Sequence, residues 1–292
     1  MSQSLARTVF GATFQNPILL ASGTAGFGRE LVGVMDLARL GGLVTKAVSL
    51  EPRAGNAAPR VAEFHGGMMN SVGLANPGLA VVREREMPWL GTHLRGPQVL
   101  LNVVGFEEEE YARVIAGLDD LQGFLGYELN LSCPNTSAGG IEFGADPVTV
   151  SRIVASCRAV TRRPILAKLS PALADIAGMA VVARDAGADG VSLVNTMPGY
   201  LFHPSGQAPR LGHGNGGVSG PALLPVGVLA TRRVVERTRG ELPVIGVGGV
   251  TTAADARQYL AAGASLVGIG TAGLADPRVP ERIVSELEGG GG

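Results

Sequence analysis

The run Pro164-Ile165-Leu166-Ala167-Lys168-Leu169-Ser170, then Asp175–Ala186, then Gly190-Val191-Ser192-Leu193-Val194-Asn195-Thr196 reads as strand, helix, strand. The outer pieces are nearly continuous apolar segments of strand length, and the middle piece carries apolar residues at helical spacing. Strands that are apolar on both faces belong to parallel sheets covered by helices. The alternation continues in both directions. Candidate strands are Ile18–Thr24, Gly42–Val48, Val99–Gly105, Gly126–Cys133, Pro164–Ser170, Gly190–Thr196, Pro243–Gly249 and Leu266–Thr271. Candidate helices are Arg29–Leu40, Glu107–Leu121, Pro147–Thr161, Asp175–Ala186, Leu223–Thr238, Ala253–Ala262 and Arg278–Leu287. Eight such units predict an α/β fold, a (β/α)8 TIM barrel, spanning residues 1–288 as one unit. The competing arrangement is an open doubly wound sheet. Thr8–Phe10 and Thr13–Gln15 flank Gly11-Ala12 and predict an N-terminal hairpin that plugs the barrel bottom. Ser49–Gln98 and Pro198–Gly220 are too long for plain connections, so they are expected over the C-terminal face. The terminal Gly289–Gly292 reads as a disordered tail.

Composition narrows the function. The chain has 292 residues, 46% hydrophobic and 17% charged, so it can build a large core. Its net charge of -1 argues against nucleic-acid binding and against a polybasic membrane patch. The 44 glycines, about twice the ordinary share, predict tight strand-to-helix turns and backbone close to a ligand. Only Cys133 and Cys157 are present, so no disulfide framework is implied. The N-terminus lacks a signal-peptide pattern, and no apolar run reaches the ~20 residues of a membrane span. A cytoplasmic protein is expected. Four histidines lie without ligand spacing, and no metal site is expected.

Barrel chemistry sits at the C-terminal ends of strands. Those ends carry Ala21-Ser22, Lys46-Ala47, Asn102, Asn130 with Cys133 and Asn135, Lys168, Val194-Asn195-Thr196, Gly248-Gly249 and Gly270-Thr271. Two lysines inside otherwise apolar strands predict an anionic ligand, against the bland reading that each is a solvated strand-end lysine. Asn130-Leu131-Ser132-Cys133-Pro134-Asn135 sets a thiol between two carboxamides, which suits general-base work on a flat, hydrogen-bonding substrate. The bland reading is a buried structural cysteine. The glycine turns Gly246-Val247-Gly248-Gly249 and Gly268-Ile269-Gly270-Thr271 offer backbone N–H groups to a phosphate. Gly268 to Gly273 also fits G-x-G-x-x-G, but that strand is the last of the chain and no βαβ unit follows it.

With these motifs the chain resembles the dihydroorotate dehydrogenases from Asn16 to about Pro277. Further matching segments are Asn70-Ser71-Val72-Gly73-Leu74, Lys168-Leu169-Ser170-Pro171 and Gly216-Gly217-Val218-Ser219-Gly220-Pro221. Cys133, and no N-terminal membrane-binding extension, resemble the soluble class. Leu50 to Asn56 and Gly139 to Pro147 resemble the catalytic FMN subunit of its NAD-linked subclass. The resemblance implies one FMN per chain, with its phosphate at Gly248, Gly249, Gly270 and Thr271. It implies Ala21, Ser22, Ala47, Asn102, Asn130, Val194 and Gly220 along the flavin, Lys168 at its pyrimidine edge, and Lys46 between flavin and substrate. Asn70, Val72, Gly73, Leu74, Asn130, Asn135, Asn195 and Thr196 would bind dihydroorotate. Cys133 would take the C5 proton while hydride leaves C6. The implied assembly is a homodimer docked with an electron-transfer subunit carrying FAD and a [2Fe–2S] cluster, as a heterotetramer.

Three alternatives stay open. One is a fumarate-dependent dihydroorotate dehydrogenase. Another is an enzyme resembling the dihydropyrimidine dehydrogenases. The third, from a different class, is a barrel that binds a phosphorylated ligand without redox chemistry.

Overall fold

Eight of the apolar segments pair side by side and in parallel, and the last pairs with the first. In the computed structural model, which describes residues 4–132, 134–135 and 141–289, they form a closed barrel. The hairpin β1 (Arg7–Val9) and β2 (Ala12–Phe14) precedes it. The barrel strands are β3 (Ile18–Leu20), β4 (Gly42–Val44), β7 (Gln98–Val103), β8 (Gly126–Asn130), β11 (Ile165–Leu169), β12 (Gly190–Leu193), β15 (Val244–Val247) and β16 (Leu266–Ile269). Closure excludes the open doubly wound sheet.

Two apolar clusters show how the strands divide their side chains. Leu19, Ala21, Val44, Leu100, Leu166, Ile245, Val247 and Leu266 form one cluster with Phe14. Ile18, Leu20, Leu43, Val99, Leu101, Ile165, Ala167 and Val191 belong to the larger cluster with the helices. Alternate residues of one strand therefore serve different cores, as a two-residue side-chain period requires. Phe14 is buried, and Val9 and Phe10 pack on the interior cluster, so the hairpin closes one end of the barrel. A Cβ on Gly190, the first residue of β12, would collide with the Phe10 ring, which places the hairpin at the N-terminal end.

The covering helices are α1 (Gly78–Val81), α2 (Met87–His93), α3 (Glu108–Ala116), α4 (Pro147–Val160), α5 (Ile176–Asp185), α6 (Leu224–Arg237), α7 (Ala253–Ala261), α8 (Thr271–Ala275) and α9 (Val279–Glu288). A π-helical turn, Val82–Glu86, joins α1 to α2. Local chemistry starts several of them. Asp146 caps α4 by accepting from the Val148 and Thr149 amides, with Pro147 in the first turn. Thr252 and Asp255 form a reciprocal capping box on α7.

Two expectations need correction. Arg29–Leu40 is not a helix but two short 3-10 turns, Arg29–Leu31 and Leu37–Arg39. Val32 is extended and Gly33 has φ 79°, a left-handed backbone that ends helical propagation. Ser49–Gln98 does not all lie over the C-terminal face. Its second half is α1, the π turn and α2, and Leu79 packs on Gly117 beyond α3 while Arg83 pairs with Asp120. Its first half supplies β5 (Val61–Phe64) and β6 (Gly67–Asn70). The second insertion supplies β13 (Met197–Tyr200) and β14 (Asn215–Ser219), and the four join as one sheet in the order β13-β14-β6-β5. The segments β9 (Pro134–Asn135) and β10 (Ile141–Glu142) pair antiparallel. Gly290–Gly292 lie outside the described residues, as do Cys133 and residues 136–140.

Candidate active site

The two-residue period that puts Leu100 and Leu166 inside the barrel also puts Asn102 and Lys168 inside, one layer nearer the C-terminal end. Strand register supplies their neighbours. Asn102 stands beside Glu128, and Lys168 beside Asn130 and Ser192. Four adjacent strands, β7, β8, β11 and β12, thus contribute a polar quarter to an otherwise apolar interior.

Glu128 is the centre of this quarter and is only 1% exposed. Its Oε1 accepts from Asn102 Nδ2 at 2.7 Å and faces Lys168 Nζ at 3.4 Å. Its Oε2 accepts from Ser192 Oγ at 2.6 Å. Lys168 is buried too, so water does not screen the pair. Deleting one partner of such a pair leaves a buried charge and costs about 3–5 kcal/mol. The Asn102 Oδ1 atom is buried and has no hydrogen-bond partner among the described residues. A donor from a bound ligand would satisfy it.

Toward the mouth, Asn195 Nδ2 donates to Asn130 Oδ1 at 3.1 Å, and Asn195 Oδ1 accepts from the Thr196 amide at 2.8 Å. Tyr111 holds the Asn130 backbone by donating its hydroxyl to the carbonyl at 2.9 Å. The insertion sheet joins here. The Thr196 side chain fills the space above Gly217, and Asn70 Nδ2 donates to the Gly217 carbonyl at 3.4 Å. Val72, Gly73 and Leu74 follow β6, with Gly73 and Leu74 both left-handed at φ 69° and 57°. Asn56 braces that turn, giving its amide N–H to the Val72 carbonyl and its Nδ2 to Ser71 Oγ. Lys46 is half-buried, and among the described residues no carboxylate pairs with it. Its own amide is tied to the Gly26 carbonyl. Ser22 donates to the Thr45 carbonyl, so the ends of β3 and β4 are fixed to each other. Ala47 and Val194 are buried nearby in sequence from Lys46 and Asn195.

The glycine turns after β15 and β16 have the geometry that close approach needs. Gly248 and Gly249 have φ 125° and 75°. Tyr259, buried in α7, donates its hydroxyl to the Gly248 carbonyl at 2.8 Å. A Cβ on Gly270 would find only Ala21 Cβ, 3.9 Å away, so the space in front of it is open. Thr271 Oγ1 donates to Ser219 Oγ at 2.8 Å, linking this turn to β14 and, through it, to Gly220. A phosphorylated, planar, hydrogen-bonding group such as FMN fits these features. Among the described residues the Asn102 acceptor meets no donor and Lys46 has no acidic partner, and the glycine turn at Gly270 is open.

Cys133 lies outside the described residues, as does the Asn135 side chain. The other thiol is inert. Burial pushes Cys157 up to about 12, and it sits in the helix-facing core. Among the described residues there is no cluster of His, Cys, Asp or Glu able to hold a metal, and no helix is long and apolar enough to cross a membrane. Glu128, Ser192, Tyr259 and Ser219 were not singled out in the sequence. A glutamate amid a buried apolar strand was the available signal for the first.

Comparison with known proteins agrees with this geometry. The family model for dihydroorotate dehydrogenase matches residues 4–289. A protein of Solibacter usitatus described as a putative dihydroorotate dehydrogenase A (fumarate) is 46% identical over 98% of this chain and 93% of its own. A protein of Desulforudis audaxviator, described as the catalytic subunit of dihydroorotate dehydrogenase B (NAD(+)), is 43% identical over 99% of this chain and 92% of its own. A crystal structure of DHODH from Eimeria tenella in complex with ferulenol shares the fold, with a TM-score of 0.82 over 97% of this chain and 83% of that one, at 22% identity. Matched from end to end by the family model, and by near full-length relatives at these identities, the chain belongs to the dihydroorotate dehydrogenases, a family of flavin-dependent oxidoreductases.

Proposed function

We propose that the chain is the FMN-carrying catalytic subunit of an NAD-linked enzyme that oxidises (S)-dihydroorotate to orotate in pyrimidine synthesis. The observation that carries this reading is the polar quarter of the barrel, where buried Lys168 stands beside Asn130 in register and the Asn130 and Asn195 amides are joined. FMN, when bound, supplies a two-electron acceptor for the hydride at substrate C6. Gly248, Gly249, Gly270 and Thr271 would hold its phosphate, and Ala21, Ser22, Ala47, Asn102, Val194, Lys168 and Gly220 the rest of it. Asn70, Asn130, Asn135, Asn195 and Thr196, with the backbone of Val72, Gly73 and Leu74, would hold the dihydroorotate ring. Lys46 would meet the substrate carboxylate, in keeping with its having no carboxylate partner among the described residues. Cys133 would remove the C5 proton, general-base work that requires the thiolate. Pro134 and Asn135, which follow Cys133 directly, pair antiparallel with Glu142 and Ile141.

The final acceptor rests on sequence motifs and on relatives. The chain has only Cys133 and Cys157, too few for a [2Fe–2S] cluster, which takes four ligands. NAD reduction would then pass through a partner with FAD and that cluster, docked on a homodimer in the cytoplasm. The Desulforudis protein's description as a catalytic subunit supports a partner. A fumarate-dependent enzyme is the second reading, favoured by the description of the Solibacter relative. Anaerobic spectra with dihydroorotate, then steady-state assays with fumarate or with NAD and the partner, separate the two. Bleaching by dihydroorotate, dye reduction and little turnover on NAD alone are expected. Brisk fumarate turnover by the chain alone would overturn the NAD assignment. Equal rates with dihydrouracil, which lacks the carboxylate, would overturn dihydroorotate as substrate.

A further inference from the structure

We propose that Glu128 is a positioning residue for the bound flavin ring, acting through Asn102 and Lys168; the proposal rests on the FMN reading above. A carboxylate only accepts hydrogen bonds. The 2.7 Å contact between Asn102 and Glu128 Oε1 therefore fixes the Asn102 amide with its NH2 toward Glu128. The flipped amide would set two acceptors face to face. The carbonyl oxygen is thereby directed elsewhere, and it is this atom that is buried without a partner among the described residues. The chain builds an acceptor, orients it, and leaves it for a donor of the ligand.

The same carboxylate acts on Lys168. Its Oε1 lies 3.4 Å from Nζ, longer than a good charged hydrogen bond, so the ammonium keeps donors for another acceptor. The charge of Glu128, 1% exposed and not screened by water, lowers the positive potential that Lys168 presents to the site. Ser192 tempers this in turn by donating to Oε2 at 2.6 Å. Asn102 and Ser192 are each fully buried, so the arrangement is set by register and not by mobile surface side chains.

Reduction of a flavin adds negative charge to its ring system. Glu128→Gln should therefore raise the midpoint potential of bound FMN, because Lys168 then acts unopposed. It should also weaken FMN about tenfold, because the Asn102 amide is no longer fixed. Ser192→Ala should do the opposite to the potential: without the hydroxyl the carboxylate acts more strongly, and the midpoint should fall. A merely structural role would not move the potential in opposite directions. The experiment is spectroelectrochemistry of the two holoproteins beside the parent, with FMN affinity measured by fluorescence of the free flavin. Opposite shifts support the proposal. Shifts of the same sign, or an unchanged potential in both variants, overturn it. If Glu128→Gln does not fold, Ser192→Ala decides alone, a fall supporting the proposal and no change overturning it. A parent protein that neither retains nor takes up FMN overturns the FMN reading itself, and the proposal with it.

Discussion

Replacing Tyr259 by Phe removes one hydroxyl beneath the turn proposed to hold the FMN phosphate. The ring is fully buried in a slot made by glycines, since a Cβ on Gly227 or Gly246 would collide with it. Phe fills the same slot, so packing is nearly unchanged and the loss is the 2.8 Å bond to the Gly248 carbonyl. Burial pushes the Tyr259 phenol above its ordinary range, so the group is a donor at any working pH. A net hydrogen bond contributes about 1 kcal/mol, and a carbonyl left unpaired indoors raises the cost toward ~3 kcal/mol. In a chain of this size, 1 kcal/mol lowers the melting temperature by roughly 2 °C. The bond also ties the Gly248 carbonyl in place, so part of the same energy should reappear as ordering cost when ligand binds. FMN should bind about fivefold more weakly, the equivalent of ~1 kcal/mol. Apoprotein titrated into FMN, with loss of free-flavin fluorescence as the signal, gives the dissociation constant, and a thermal melt gives the stability. A lower melting temperature with FMN affinity within twofold of the parent would show that Tyr259 serves the fold only, and the argument for the turn would fail.

Cys133→Ala should leave FMN bound but slow anaerobic reduction by dihydroorotate by at least ~10²-fold, the scale of a lost general base. Cys157→Ala should change little, because that thiol, raised to about 12 by burial, stays protonated in the core near neutral pH; a parental rate for the Cys133 variant in stopped flow would remove it from the mechanism. Gly270→Val should fold and purify colourless, since its side chain enters open space beside Ala21. Stoichiometric FMN in that variant would place the phosphate elsewhere. Gly249→Val is a poorer probe, because its Cβ would collide with the Leu224 backbone where φ is 75°, and circular dichroism should show the fold itself impaired.

The barrel was readable because a parallel strand buried on both faces writes its own length as an apolar run. Pro164–Ser170 and Gly190–Thr196 became β11 and β12, and the helix between them lost only its end residues. Such runs overshoot at their C-terminal ends, because Asn195 and Thr196 continue the strand pattern after barrel pairing has ended. Arg29–Leu40 misled for a different reason. Its apolar spacing is helical, yet Gly33 at a left-handed φ stops the chain after one turn, and spacing carries no penalty for a single glycine. The four-stranded insertion sheet was not readable at all. Its pairing joins Met68–Asn70 to Gly217–Ser219, about 150 positions apart, through segments too glycine-rich to show alternation.

The site divides along the same line. Residues at strand ends, such as Asn130 and Asn195, stand out because the function of a barrel concentrates there. Glu128 sits two positions before Asn130 on the same strand, where the rule that strand interiors are core hides it. Its role depends on register: only when Asn102 stands beside Glu128, and Lys168 beside Ser192, do the polar groups fall in one layer. Register is a property of pairs of strands, so no single segment contains it. A local trace does exist. Three neighbouring strands in barrel order, β7, β8 and β11, each carry one amide or charged residue two positions after an inward Leu or Gly, and β12 carries a serine two after Gly190. An apolar core would leave Glu128, Lys168 and Asn102 unmatched at a cost of several kcal/mol each. Their recurrence at one parity on adjacent strands means that they answer one another, and the acceptor they leave unanswered among the described residues, Asn102 Oδ1, is the atom proposed to meet a donor of the ligand.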